Sequence, residues 1–185
     1  MHKFKEFKSI RFFLVLLHLF LSDAYASTQR IVFSANIVAS ACHVRVDADG
    51  IGNNMINFGV YNKSLGTVIP PREFTIRLYE SGASIQGCSA FHVAQFASIQ
   101  FGNTGQLDAD GVITRGAGER VRIDVRAVDS QADWLGRLSQ SHDIVRYPTD
   151  FAARGQFRFT AQPLFLSGVQ NGKYEGSLSV IVSYQ

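Results

Sequence analysis

From Tyr174 to Tyr184 the chain alternates. Tyr174, Leu178, Val180, Val182 and Tyr184 fall on one face with Gly176, and Lys173, Glu175, Ser177, Ser179 and Ser183 fall on the other, where only Ile181 is apolar. A period of two is the mark of a half-buried β-strand. The same rhythm runs through Phe74, Ile76 and Leu78 against Thr75 and Arg77, through Val121, Ile123 and Val125 against Arg122, Asp124 and Arg126, and through Phe157 and Phe159 around Arg158. Strands are expected over 31–46, 55–60, 73–79, 93–101, 120–128, 156–165 and 174–184. Turn chemistry separates them: Asp49-Gly50, Gly52-Asn53-Asn54, Pro70-Pro71, Gly102-Asn103, Asp110-Gly111 and Asn171-Gly172. Residues 130–149 are the least patterned and read as a long connection or short edge strands. No stretch beyond residue 26 holds a 3.6-residue period over three turns.

The first 26 residues read differently. Lys3, Lys5, Lys8 and Arg11 precede the apolar run Phe12–Leu21, broken only by His18, and Ala24-Tyr25-Ala26 has the form of a cleavage site. The run is short for a membrane span, so a cleaved secretory signal over residues 1–26 is expected, with a retained anchor as the alternative. Cleavage would leave 159 of the 185 residues, enough for one domain. It would also remove four of 18 basic and two of 15 acidic residues, leaving 14 and 13. The basic balance of the whole chain is therefore mostly that of its leader, and nucleic acid is not an expected partner.

Both cysteines, Cys42 and Cys88, lie beyond the leader. In an exported chain two cysteines most simply form one disulfide; two buried thiols are the alternative. Closing the 46-residue separation would contribute about 4 kcal/mol in the chain-entropy account. About seven short strands with one disulfide argue for an all-β, immunoglobulin-like sandwich.

Candidate chemistry is sparse, and no enzyme, cofactor or metal site is expected. Ser141-His142-Asp143 has triad residue types, but consecutive residues cannot converge as a triad must. Asp108 and Asp110 before Gly111 suit a solvated turn better than a calcium loop, and Arg115-Gly116-Ala117-Gly118 lacks the spacing of a phosphate loop. Trp134 is a candidate sugar-stacking residue, with packing as the commoner role of a lone tryptophan. Asn62-Lys63-Ser64 is a formal glycosylation sequon.

The two ends of the chain resemble a family. Gly172 is fourteenth from the end and Tyr184 next to last, and Phe33, Ala35, Ile37 and Ala39 alternate ahead of Ser40-Ala41-Cys42. Phe74-Thr-Ile-Arg-Leu78 follows an F-x-I-x-L pattern before the second cysteine. In these features the chain resembles pilus (fimbrial) subunits of the chaperone–usher pathway, of the type 1 fimbrial kind. It departs from them in two places: Ala35 stands where the family usually has glycine, and Cys88 lies ten residues beyond Leu78, further than usual.

The resemblance implies an incomplete immunoglobulin-like sandwich that lacks its C-terminal strand and is completed by donor-strand complementation, a mode of β-strand addition. It implies a donor extension over 27–41, with Ile31, Phe33, Ala35, Ile37 and Ala39 as the strand that fills a neighbour's groove, and a pilin domain over 42–185. Gly172, Tyr174, Gly176, Leu178, Val180, Val182 and Tyr184 would form the groove wall that a chaperone also contacts. The last strand ends the sequence, so its free edge would be covered from another chain. Implied partners are a periplasmic chaperone, an outer-membrane usher and neighbouring subunits, with a host receptor reached only indirectly. The implied place is the cell surface, in a fimbrium, after export through the periplasm. The competing reading is a single-domain fimbrial adhesin or lectin for host glycans. A small exported hydrolase is a distant third.

Overall fold

The computed structural model describes residues 42–66 and 68–184, all within the unit Val38–Gln185. The expected leader and the donor residues Ile31, Phe33, Ala35, Ile37 and Ala39 lie outside the described residues. Ten strands are described: β1 Cys42–Asp47, β2 Arg72–Glu80, β3 Phe96–Phe101, β4 Leu107–Asp108, β5 Gly111–Gly116, β6 Arg122–Ala127, β7 Ile144–Pro148, β8 Gln156–Leu164, β9 Tyr174–Gly176 and β10 Val180–Tyr184. One turn of helix, α1 Thr149–Ala152, joins β7 to β8.

All pairings are antiparallel. The larger sheet runs β1-β2-β8-β6-β5-β4, with β9 also on β5, and the smaller runs β10-β3-β7. Alternation decides which side chains meet. Ile76 lies opposite Phe157 and Phe74 opposite Phe159 across β2 and β8, and Ile99 lies opposite Val145 and Ala97 opposite Tyr147 across β3 and β7. Phe74, Ile76, Leu78, Ile99, Phe101, Val145, Tyr147, Phe157 and Phe159 are all buried. Phe101 meets Phe159 edge to face at 5.0 Å and Tyr147 meets Phe157 at 4.9 Å, so aromatic contacts join the two sheets across the core. Each such side chain contributes roughly 1.5–3 kcal/mol by leaving water.

The opposite face of the larger sheet carries arginines around more buried aspartates: Arg45 and Arg77 on Asp47, Arg158 on Asp129, Arg126 and Arg137 on Asp124. Cys42 is bonded to Cys88, their Cα atoms 6.0 Å apart, tying the start of β1 to the 3₁₀ turn Ser89–Val93. The extra length before Cys88 is a folded-back loop, with the Gly87 amide on the Leu78 carbonyl at 2.9 Å.

Two strand expectations need correction. Residues 55–60 form no strand and pair with none among the described residues. The amides of Met55, Asn57 and Gly59 are taken by the side chains of Asn53, Asp49 and Asn57. Residues 174–184 form two strands, not one: β9 pairs with β5 in the larger sheet, and β10 with β3 in the smaller. β4 and β5 were not expected; GVITRG is short and closed by glycines, so its alternation is truncated. β7 is a short edge strand of the smaller sheet, as expected within residues 130–149, with Val145 and Tyr147 alternating inward over five residues.

Candidate functional site: an apolar cleft beside the last strand

The smaller sheet has two edges with different fates. At β7, the Arg146 amide donates to Asp133 Oδ1 at 2.6 Å and the Asp133 amide to the Arg146 carbonyl at 3.0 Å, so the connection before the strand covers that edge. At β10, one side pairs with β3 from Val180↔Phe101 to Tyr184↔Ala97. The other side has no strand partner among the described residues.

Where the chain enters β10 lies a cleft of about 540 Å³. β1 contributes Val44 and Val46, the unpaired segment contributes Met55, Ile56 and Phe58, and Leu178 and Val180 belong to the chain entering β10. Phe74, Phe101, Val125 and Ala161 come from the core beneath. The lining is exposed for apolar side chains: Val44 is 44% and Met55 69% accessible. Ile56, Phe58, Leu178, Val180 and Val182 are only partly buried, although all pack on the core. The amides of Ile56 and Phe58 have no hydrogen-bond partner among the described residues. The cleft thus has an apolar floor and unpaired backbone on both flanks.

Two carboxylates fix the flank formed by the β1–β2 connection. Asp47 accepts from the Gly52 amide at 2.6 Å and pairs with Arg45 and Arg77. Burial pulls its pKa up, but the Gly52 hydrogen bond and the two arginines outweigh this and hold it below the ordinary value. Asp49 accepts from the Asn57 amide at 2.9 Å and from Arg72 at 2.5 Å, and these bonds lower its pKa too.

The residues expected on the groove wall divide between two places. Gly176, Leu178 and Val180 line the cleft, and Val182 packs on the core beside it. Tyr184 stands edge to face on Phe91 at 5.8 Å. Gly172 and Tyr174 lie on the β5 hairpin: a Cβ at Gly172 would come within 2.6 Å of Ala117 Cβ, and one at Gly118 would collide with the Tyr174 side chain. Burial raises the Tyr174 pKa. Val44, Val46, Val112, Ile123 and the 55–58 flank were not anticipated at the site. Their only sequence signal was apolarity, which any core strand shares.

The other candidates are engaged elsewhere. Trp134 stacks on His142 at 4.1 Å and donates its Nε1–H to the Arg137 carbonyl. Ser141 Oγ lies 3.1 Å from His142 Nδ1, but Asp143 accepts from Gln100. Asp108 pairs with Arg122, and Asn62 Oδ1 caps the turn Lys63–Leu65. Among the described residues no three of His, Cys, Asp and Glu cluster as a metal site.

The family model for K88 fimbrial protein A matches residues 7–185, nearly the whole chain. The chain belongs to that fimbrial family. No curated protein sequence matches it significantly. Among solved structures, the crystal structure of the P pilus rod subunit PapA aligns with 85% of this chain and 100% of its own, at 17% identity and a TM-score of 0.50. A chain from a structure of a chaperone–usher pilus aligns at 16% identity over 86% of this chain and 96% of its own, with a TM-score of 0.41. The PapA likeness concerns the fold: this fimbrial subunit has the immunoglobulin-like sandwich of a pilin, with its cysteines bonded.

Proposed function

We propose that this fimbrial subunit is a structural building block that polymerises by donor-strand exchange. Residues 27–41 of one copy enter the cleft beside β10 of the next, antiparallel to β10. Ile31, Phe33, Ala35, Ile37 and Ala39 face the apolar floor, and a periplasmic chaperone fills the cleft until the exchange, at an outer-membrane usher. The reading is carried by one observation: an apolar cleft flanked by unpaired backbone at a sheet edge, in a fold whose other small-sheet edge is covered. Exposed apolar surface bordered by open ladder groups invites a strand rather than a small molecule. Assembly then needs no nucleotide, because burial and pairing withheld by the gap are released when a strand fills it.

The reading is asymmetric, and that makes it testable. Phe33→Arg or Ile37→Arg places an unpartnered charge in the neighbour's apolar cleft. Such a chain keeps its own cleft, so it still binds chaperone and accepts a donor, but it cannot be added to another subunit. Val182→Arg damages the cleft itself and weakens chaperone binding. Fibres of normal length from either donor variant overturn the proposal. The adhesin reading is separated by a glycan array, on which a structural subunit gives no signal.

A further inference from the structure

The chain does not run straight into β10. It leaves β9 at Gly176 in one sheet and joins β10 at Val180 in the other, and the three residues between are held from both sides. The Gln106 side chain does most of the holding. Its Oε1 accepts from the Ser179 amide at 2.9 Å and from the Asn103 amide at 3.1 Å, and its Nε2 donates to Ser177 Oγ at 3.3 Å. The Gly102 amide donates to the Ser179 carbonyl at 2.8 Å. On the β9 side, the Ala117 amide bonds to the Lys173 carbonyl at 3.0 Å, and Gly116 and Gly172, with φ of 86° and 147°, permit the close approach. Added Cβ atoms there would fall 2.7 Å from the Lys173 carbonyl oxygen and 2.6 Å from Ala117. Gly118 lies under Tyr174. Gly176 and Ser177 line the end of the cleft with Val112 and Ile123.

From this we infer that the crossing Ser177–Ser179 is a register stop for the captured strand, with Gln106 and Gly118 as its positioning residues. The inference rests on the donor-strand reading above, with residues 27–41 of a second copy as occupant. A strand laid along β10 can pair with it only between Val180 and Tyr184, because before Val180 the chain has turned away to the other sheet. Sliding the donor by two residues keeps its apolar face inward but carries paired residues past the crossing, where no ladder exists. Sliding by one turns every apolar side chain outward. The alternation forbids odd shifts by itself; even shifts toward Val180 must be forbidden by the stop. Ser177 and Gln106 bring no apolar side chain to the cleft, so their effect is on alignment.

The test is a disulfide register scan between copies of the full mature chain. Ile181, 57% exposed and facing away from the core side of β10, is replaced by Cys. A second Cys is placed in turn at Val32, Ser34, Asn36, Val38 or Ser40, and chains assemble in a glutathione buffer. Covalent ladders on non-reducing gels should concentrate at one position, about tenfold or more over positions two residues away, since a shifted strand loses ladder bonds. Adding Gln106→Ala or Gly118→Ala should spread the ladders over neighbouring even-spaced positions. In a Tyr174→Gly background, Gly118→Ala should have no further effect, because the colliding side chain is gone. Ser177→Ala serves the same purpose should Gln106→Ala fail to fold. Equal ladders at three or more positions without the added substitutions overturn the stop while leaving strand capture standing. So does a single unmoved position in both variants. Ladders at no position overturn strand capture itself and the stop with it.

Discussion

Supplying the missing strand within one chain tests the cleft directly. A copy of residues 30–41 is fused after Gln185 through a two-residue hairpin turn, which permits only antiparallel pairing with β10. The comparison that carries a number is between this fusion and the same fusion with Ala at the copied Phe33 and Ile37. Both order the same backbone, so that entropy cancels, and differences between variants are safer than absolute sums. The floor under β10 is apolar, and Leu178, Val180 and Val182 are still partly open. Two large side chains seated there contribute roughly 1.5–3 kcal/mol each, or about 3–6 kcal/mol together. For a domain of this size about 1 kcal/mol moves Tm by about 2–4 °C, so the fusions should differ by about 6–24 °C. Calorimetry and size-exclusion chromatography read the result: the native fusion melts as a soluble monomer above both the Ala fusion and the unextended chain. If the two fusions melt together, the copied side chains do not enter the cleft. If the unextended chain is already a stable monomer and the native fusion adds nothing, the sandwich is complete as it stands.

Two further outcomes follow from the same structure. Replacing Cys88 by Ser should lower stability by about 4 kcal/mol, read by denaturant titration of the oxidised protein against the variant, and an unchanged midpoint would remove the disulfide from the account. Asp47 and Asp49 both have pKa values below the ordinary carboxylate value; their support for the cleft flank is therefore complete above about pH 4, where unfolded carboxylates titrate, and is lost as pH falls through the folded values. Hydrogen exchange at the Gly52 and Asn57 amides, corrected for its intrinsic pH dependence, should lose protection below about pH 4 and not between pH 5 and 7. Protection already lost between pH 5 and 7 contradicts this.

By itself the sequence determined the local elements whose alternation is long and clean. Phe74-Thr-Ile-Arg-Leu78 and Gln156-Phe-Arg-Phe159 could only bury one face each, and they became the paired centre of the core. The two cysteines, the all-β class and the family resemblance of the chain ends were legible for the same reason: each is a property of spacing along the chain. The tertiary structure alone decided which edges stay open. The segment 55–60 has the composition of a strand yet pairs with none among the described residues, where Asp49, Asn53 and Asn57 take its alternate amides. Residues 174–184 alternate without a break, yet Gly116, Gly172 and Gln106 draw them into two sheets. Alternation fixes which way a side chain points; it carries no information about which backbone lies alongside, and that is set by contacts between residues tens of positions apart.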